Sequence, residues 1–320
     1  MGKRRIRNLL KHGQKDVIGF DIRSDRTTEA NNLYGISTYE KFDEAVAQSP
    51  NVFIISCPPD KHLEYANYAI DHKIHFFSEV NTDFPENISS IIPKIKEQKI
   101  IGVPSCTMRF HPCVTQIKNI IDEDILGKPL LLTFHSGENL EDWHPWEKIS
   151  DYYVGDKKTG GGRDQIMFEL EWVKWLMGDI KSVHATTTKL SDFDADIFDV
   201  YDLVVKFDND SIGNILVDVI QKPPNRILRI VCKKGVIHWD WMTHMVKVYD
   251  ENEKIIKELP EREGYKGYLV EEMYEQEIKQ FLMALNNEEL YPTSFDNEVE
   301  LLKIMYAAEQ SSESGIRISL

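Results

Sequence analysis

Residues 51–78 read NVFIISCPPDKHLEYANYAIDHKIHFFS, and the organisation of the chain follows from how they fold. Asn51–Ser56 is a short apolar run bounded by a loop, as a buried strand requires. Cys57-Pro58-Pro59 interrupts it. Asp60–Asp71 then has an acidic N-cap and apolar residues at Leu63, Tyr65, Ala66, Tyr68, Ala69 and Ile70, which predicts a helix. Ile74–Ser78 is a second apolar run. A strand, a helix and a strand at this spacing make a βαβ unit with parallel strands.

The same rhythm extends both ways. Upstream, Asp16–Ile22 (DVIGFDI) predicts a strand, and Thr27–Leu33 and Tyr39–Ala47 predict helices. Downstream, Pro85–Gln98 predicts a helix and Ile100–Pro104 a strand. The expected fold class is α/β, with a Rossmann-like doubly wound parallel sheet covered on both faces, over residues 1–107. After Thr107 the pattern changes. Pro129–His135 reads as a strand and Asp164–Met177 as a helix. Strand-like runs then follow without helices at Ser182–Lys189, Tyr201–Phe207, Ile212–Ile220, Arg226–Cys232, Val236–Trp241 and Val246–Tyr249. Tyr201, Leu203, Val205 and Phe207 alternate at period two, and Asn209-Asp210 signals a turn. Tyr274, Ile278, Phe281, Leu282 and Leu285 form a helical stripe, Asn297–Gln310 forms another helix, and Gly315 ends it before a short strand. Residues 108–320 are therefore expected to form an α+β domain on an open antiparallel sheet.

Composition excludes several classes. A formal net charge of -15 argues against a nucleic-acid partner, because phosphate binding needs a basic footprint. No apolar run approaches the roughly 18 residues that cross a bilayer. Cys57, Cys106, Cys113 and Cys232 are scattered, with no C-x-x-C pair, which suits reduced thiols and a cytoplasmic setting. Met1–Lys15 is locally basic, with Lys3, Arg4, Arg5, Arg7, Lys11 and Lys15. It reads as a first helix burying Ile6, Leu9 and Leu10, or else as a basic amphipathic membrane helix.

A dinucleotide-binding unit has a strand, G-x-G-x-x-G, a helix, and an acid about 20 residues on that bonds the ribose hydroxyls. Asp21 closes DVIGFDI in that acidic position, and counting back from it lands on Gly2. Met1-Gly2 then stands as the last part of the fingerprint and Lys3–His12 as its helix. The first strand and the first two glycines are expected upstream of Met1.

Other segments extend the pattern. These are Ser56-Cys57-Pro58-Pro59 followed by His62; Phe77-Ser78-Glu79-Val80-Asn81; Met108-Arg109-Phe110-His111-Pro112; Asp142-Trp143-His144-Pro145-Trp146; Tyr152-Tyr153; and Gly160-Gly161-Gly162 before a helix ending Leu176-Met177-Gly178. In order and spacing they resemble the Gfo/Idh/MocA family of nicotinamide-dependent sugar oxidoreductases. The resemblance implies NAD as cofactor, with NADP possible because Arg23 stands near Asp21. It implies cofactor contacts from Gly2, Asp21, Arg23, Cys57, Pro58, Pro59, His62 and Glu79. It also implies a sugar, nucleotide-sugar or acidic sugar derivative as substrate, and a homodimer or homotetramer built on the open sheet.

Two departures bear on chemistry. The family's E-K-P lysine is replaced by Val80, and the histidine of its D-x-x-x-H motif by Phe168, which cannot act as a general base. Asp164 holds the aspartate position. Asp164, Glu169 and His144 are the candidate catalytic residues, with His111 a further candidate. A carboxylate beside Phe168 and Trp172 is expected to have a raised pKa. Arg109, Arg163 and Trp143 are the candidate substrate contacts, the arginines by bidentate pairing and Trp143, with Trp146, by stacking on a sugar ring. Each has a structural alternative, a salt bridge or a hydrophobic anchor. His135, Glu138, His144 and Glu147 lack regular metal-ligand spacing, so no metal site is expected. The losses at Val80 and Phe168 leave open a second function, a member that binds a sugar without turnover or serves as an oligomeric scaffold.

Overall fold

The computed structural model describes residues 1–260 and 270–320. The chain begins with helix α1 (Gly2–Lys11), strand β1 (Ile18–Phe20), helix α2 (Ser24–Tyr34), strand β2 (Ser37–Tyr39) and helix α3 (Phe42–Val46). Strand β3 (Val52–Ile55), helix α4 (Pro59–Asp71), strand β4 (His75–Ser78), helix α5 (Pro85–Gln98) and strand β5 (Gly102–Pro104) follow. The parallel strands form two sheets, β1-β2 and β3-β4-β5. Among the described residues β1 and β3 do not pair with each other. Phe42 of α3 bridges the two sheets instead, with its ring 5.5 Å from Phe20 and 6.1 Å from Phe53. These edge-to-face contacts suit aromatic quadrupoles.

Two expectations need correction here. Residues 39–47 were expected to be all helix, but Ser37–Tyr39 is a strand and the helix starts at Phe42. Parallel pairing of Thr38 with Gly19 overrides the weak local signal. Helix α1 buries Arg5 and Asn8 most deeply, not Ile6, Leu9 or Leu10, because Arg5 finds carboxylates inside. Its guanidinium meets Glu79 at 2.7 Å and Glu277 at 2.8 Å, and it lies over the Phe77 ring. A buried cation persists only when paired in this way.

The second half contains α6 (Pro112–Asp122), β6 (Pro129–Asn139), α7 (Leu140–Trp143), α8 (Gly162–Met177), β7 (Ile180–Thr188), β8 (Val200–Phe207) and β9 (Ile212–Asp218). It continues with β10 (Ile220–Cys232), β11 (Gly235–Asp240), β12 (Met245–Asp250), β13 (Ile255–Pro260), α9 (Val270–Leu285), α10 (Phe295–Ser314) and β14 (Ile318–Ser319). The nine-stranded sheet has the order β13-β12-β11-β10-β6-β9-β8-β7-β14. It is mostly antiparallel, as expected, with β6 and β9 as its one parallel pair among the described residues. Those two strands are joined by a long excursion through α8, β7 and β8, and such a crossover permits parallel pairing.

Helices α8 and α10 cover one face of this sheet, over Tyr201, Leu203, Val205, Phe207, Ile215 and Val217, all essentially buried. The other face exposes Leu131, Val204, Ile212 and Ile227. Helices α9 and α10 return to the first half, α9 against α1 and α10 against α5. Among the described residues no helix is long and apolar enough to cross a membrane.

Candidate functional site

A cavity of about 3320 Å³ runs from the ends of β1 and β3 to the first turns of α8. All eight residues expected to hold a cofactor line it: Gly2, Asp21, Arg23, Cys57, Pro58, Pro59, His62 and Glu79. Of the other expected site residues, Trp143, His144, Arg163 and Asp164 line it as well. Glu169 and Arg109 do not.

The cofactor side is built on strand ends. Asp21 lies just past β1, where its Oδ1 accepts the Arg23 backbone N–H at 2.9 Å and the Arg26 guanidinium approaches to 3.8 Å. Arg23 reaches Asp25 at 2.7 Å and, across the cavity mouth, Glu147 at 2.8 Å. It thus links the β1 end to the loop after α7. Cys57, Pro58 and Pro59 turn β3 into α4, with Pro59 at the helix start, where a missing N–H costs nothing. Burial pushes the Cys57 thiol up to about 12, so it is no nucleophile at neutral pH. His62 is buried with Nε2 2.8 Å from the Cys57 carbonyl and Nδ1 3.0 Å from Asn81 Oδ1. It fastens the Pro-Pro loop to the segment after β4. Burial holds its pKa below the ordinary histidine value. Glu79 is clamped by Arg5 and also accepts from the Ser56 hydroxyl at 3.2 Å.

The opposite wall comes from the second half. Gly160 lets the chain fold tightly there, because a Cβ on it would lie 2.1 Å from Val154 Cα. Gly161 holds φ at +60°, in the region that favours glycine. Helix α8 starts immediately after, placing Asp164 in its first turn. The Tyr153 hydroxyl donates to Asp164 Oδ2 at 3.2 Å. Burial raises the Asp164 pKa to about 7, with the Tyr153 hydrogen bond working the other way. Phe168 lies one turn on and lines the cavity, as does Val80. Both replacements of the family's polar groups therefore face the same space as apolar surface.

Four candidate residues are engaged within the protein. Glu169 is fully buried and accepts from Ser136 at 3.0 Å, Gln165 at 2.9 Å, the Trp172 indole at 2.7 Å and Arg226 at 2.6 Å. It points from α8 into the sheet, which removes it from proton transfer at the cavity. Arg109 pairs with Glu171 at 2.6 Å and donates to the Pro292 carbonyl at 2.8 Å, outside the cavity. Arg163 does line the cavity, but Glu309 grips it at 2.9 and 2.5 Å, so its fork is occupied within the protein. His111 is buried beside Trp239 and Trp241, its Nδ1 accepting the Cys113 N–H at the start of α6.

His144 stays on the cavity wall, stacked on Tyr152 at 4.5 Å and Trp146 at 5.1 Å, with Nδ1 3.2 Å from Glu147. Burial lowers its pKa despite that carboxylate. The Trp143 indole donates to Glu138 at 3.0 Å, and His135 pairs with Asp218 at 2.8 Å. Sequence reasoning missed Gln165, Arg226 and Trp241 as cavity residues. Arg226 and Trp241 form a stacked cation–π pair at 4.6 Å. Only the three-dimensional pairing of β10 with β6 and β11 brings these side chains to the cavity.

Comparison with known proteins agrees with this arrangement. Residues 114–238 match the model of the GFO/IDH/MocA C-terminal domain. The chain is 20% identical over 332 residues to "Uncharacterized oxidoreductase YrbE" of Bacillus subtilis (strain 168), covering 100% of this chain and 94% of that protein. Among solved structures, levoglucosan dehydrogenase in complex with NADH and levoglucosan superposes with a TM-score of 0.87 at 15% identity, covering 100% of this chain and 96% of that one. An oxidoreductase from Agrobacterium radiobacter in complex with NAD+, L-tartaric acid and magnesium gives 0.86 at 14%, covering 99% and 95%. The WlbA dehydrogenase from Bordetella pertussis, in complex with NADH and UDP-GlcNAcA, gives 0.81 at 16%, covering 100% and 95%. Residues 114–238 thus resemble the GFO/IDH/MocA C-terminal domain, and the whole chain shares the fold of these solved dehydrogenases.

Proposed function

We propose that the protein is a nicotinamide-dependent oxidoreductase that oxidises or reduces a hydroxyl-bearing carbon of a sugar, nucleotide-sugar or acidic sugar derivative. One observation carries this reading. A single cavity joins the ends of parallel strands, where dinucleotides bind in open α/β sheets, to a carboxyl group that titrates near neutrality.

The residues present fit the cofactor. The N-terminus of α1 faces the cavity at Gly2, where a Cβ would meet nothing within 4 Å, and helix N-termini favour phosphate. The Asp21 carboxylate suits ribose hydroxyls and favours NAD over NADP. Cys57–Pro59 would hold the nicotinamide ribose. When bound, the nicotinamide supplies hydride acceptance or donation. The protein's own part is to orient the sugar and to hold a proton. Trp143 offers a flat face, and Glu138 and Gln165 offer polar groups toward sugar hydroxyls. Asp164 holds the proton released from the substrate hydroxyl during oxidation.

Structural neighbours bind levoglucosan, L-tartaric acid and UDP-GlcNAcA according to their descriptions, which supports a polyhydroxylated small molecule as substrate. The exposed Leu131, Val204, Ile212 and Ile227 support a second copy packing on the open sheet face, so a homodimer or homotetramer is expected. Four unpaired thiols suit a reducing cytoplasm.

The test is calorimetric titration with NAD and NADP, then a panel of aldoses, uronic acids, nucleotide sugars and tartrate, followed by reduced-nicotinamide absorbance. NAD binding in the micromolar range and turnover with one panel class are expected. A specific observation favours the second reading, a sugar binder without turnover: Val80 and Phe168 present apolar surface to the cavity. Sugar binding with no nicotinamide reduction would decide for it.

A further inference from the structure

Tyr153 belongs to the cavity wall but to none of the roles described so far. Its placement is tightly built. It sits in a short 3-10 turn, Tyr153–Gly155. The Thr159 hydroxyl donates to its carbonyl at 2.7 Å, and Gly160 packs flat against Val154. Gly155 is equally constrained, since a Cβ there would lie 2.4 Å from the Ile149 carbonyl oxygen. The turn therefore cannot retreat, and the phenol is pressed toward the first turn of α8. Its hydroxyl meets Asp164 there at 3.2 Å. Both groups line the cavity, and among the described residues neither forms a salt bridge.

We propose that Tyr153 is the catalytic residue that contacts the reacting hydroxyl, and that Asp164 behind it is the proton store. The inference rests on the oxidoreductase reading and names the group that stands in for the missing histidine at Phe168. In the oxidative direction the substrate's carbinol hydrogen leaves as hydride to the nicotinamide. The hydroxyl proton passes to the Tyr153 oxygen as the tyrosine's own proton moves to Asp164 Oδ2. The substrate carbon is oxidised to a carbonyl, the nicotinamide is reduced, and the released proton rests on Asp164. Reduction runs the same path backwards.

Two further features support the pair. A phenol in so enclosed a place does not ionise by itself, because burial and the neighbouring carboxylate hold its pKa well above the ordinary tyrosine value. It therefore passes a proton on and does not store one. Asp164, pushed to about 7, is half-charged near neutrality and can both take and return a proton. The apolar faces of Phe168 and Val80 keep water from bypassing the relay.

The experiment compares wild type, Tyr153→Phe and Asp164→Asn. Steady-state pH profiles are measured with whichever substrate of the panel the wild type turns over. The Asp164 carboxyl is also titrated by isotope-edited infrared spectroscopy in the protein without substrate. Wild type is expected to show a limb and a carboxyl midpoint both near 7. Tyr153→Phe should lower kcat by about 10²-fold with KM changed little, because general acid–base help of this kind is worth about 10²–10⁴-fold. It should also move both the limb and the midpoint upward, since the carboxylate loses a donor. Asp164→Asn should erase both. If the wild type turns over and Tyr153→Phe keeps its kcat and limb, Tyr153 has no place in the proton path, and only this inference falls. If Tyr153→Phe loses rate without moving limb or midpoint, the relay is likewise overturned. If the wild type turns over nothing, the oxidoreductase reading falls and takes the relay with it, whatever the infrared midpoint.

Discussion

Helix α8 has two faces, and each carries a carboxylate. On the sheet face, Glu169 is fully buried and accepts from Ser136, Gln165, Trp172 and Arg226. On the cavity face, Asp164 has one donor among the described residues, Tyr153. Burial alone does not distinguish a structural acid from a chemical one; the supply of partners does. A fully partnered carboxylate holds elements together. An under-partnered one is pushed toward neutrality and becomes able to exchange a proton. The Arg5 cluster follows the first pattern, with Glu79 and Glu277 sharing one guanidinium.

Breaking the partnered side should have the largest effect. Arg5→Leu leaves Glu79 and Glu277 without their cation, and truncating one member of a buried ion pair costs about 3–5 kcal/mol. Urea titration should show a lower midpoint by that amount, and a change under 1 kcal/mol would contradict the comparison. Glu169→Ala should cost about the same or slightly less, about 3–4 kcal/mol, because Ser136, Gln165 and the Trp172 indole lose their common acceptor while Arg226 keeps Glu138. Asp164→Asn should leave the urea midpoint near wild type while abolishing turnover; a large loss of stability would place Asp164 with the structural acids.

A smaller effect follows from pH. The folded pKa of Asp164 lies above its ordinary value, so the folded state binds the extra proton between about 4 and 7. Stability contributed there is present at low pH and lost as pH rises through about 7. Burial also raises Glu298 to about 7, so its contribution has the same sign. Asp164→Asn should flatten part of this slope and leave the Glu298 part. Arg23→Ala should have the smallest effect. Its pairs with Asp25 and Glu147 are exposed or at the cavity rim, so the urea midpoint should hold, with a roughly twofold change in cofactor affinity.

Much of the fold was legible because buried strands are apolar runs and helices are periodic. Val52–Ile55 and His75–Ser78 fall within their expected runs, and Val200–Phe207 exceeds its expected run by one residue. Ser37–Tyr39, Pro112–Asp122 and Ile255–Pro260 were not expected as elements. The first is three residues long with little apolar content, and the others depend on packing across the sheet. The cofactor wall was legible because strand, turn and acid lie close in sequence. The opposite wall was less so. Glu169 and Asp164 look equivalent on a helix, and what separates them is Arg226, 57 residues away from Glu169. Tyr153 owes its position to a contact of Val154 with Gly160, which no spacing rule reveals.

The Arg5 cluster also constrains how the protein is made. Arg5 leaves the ribosome well before Glu277, which partly neutralises it, and it bonds the Tyr274 carbonyl 269 residues later. At about 5–20 residues per second, that interval is roughly 15 to 50 s. During it, helix α1 cannot settle into its final place, and the cavity wall it forms stays open. The cavity wall is therefore completed only once α9 has been made, and a nascent molecule, or one cut before Glu277, would have strands and sheets before it had a place for its ligand.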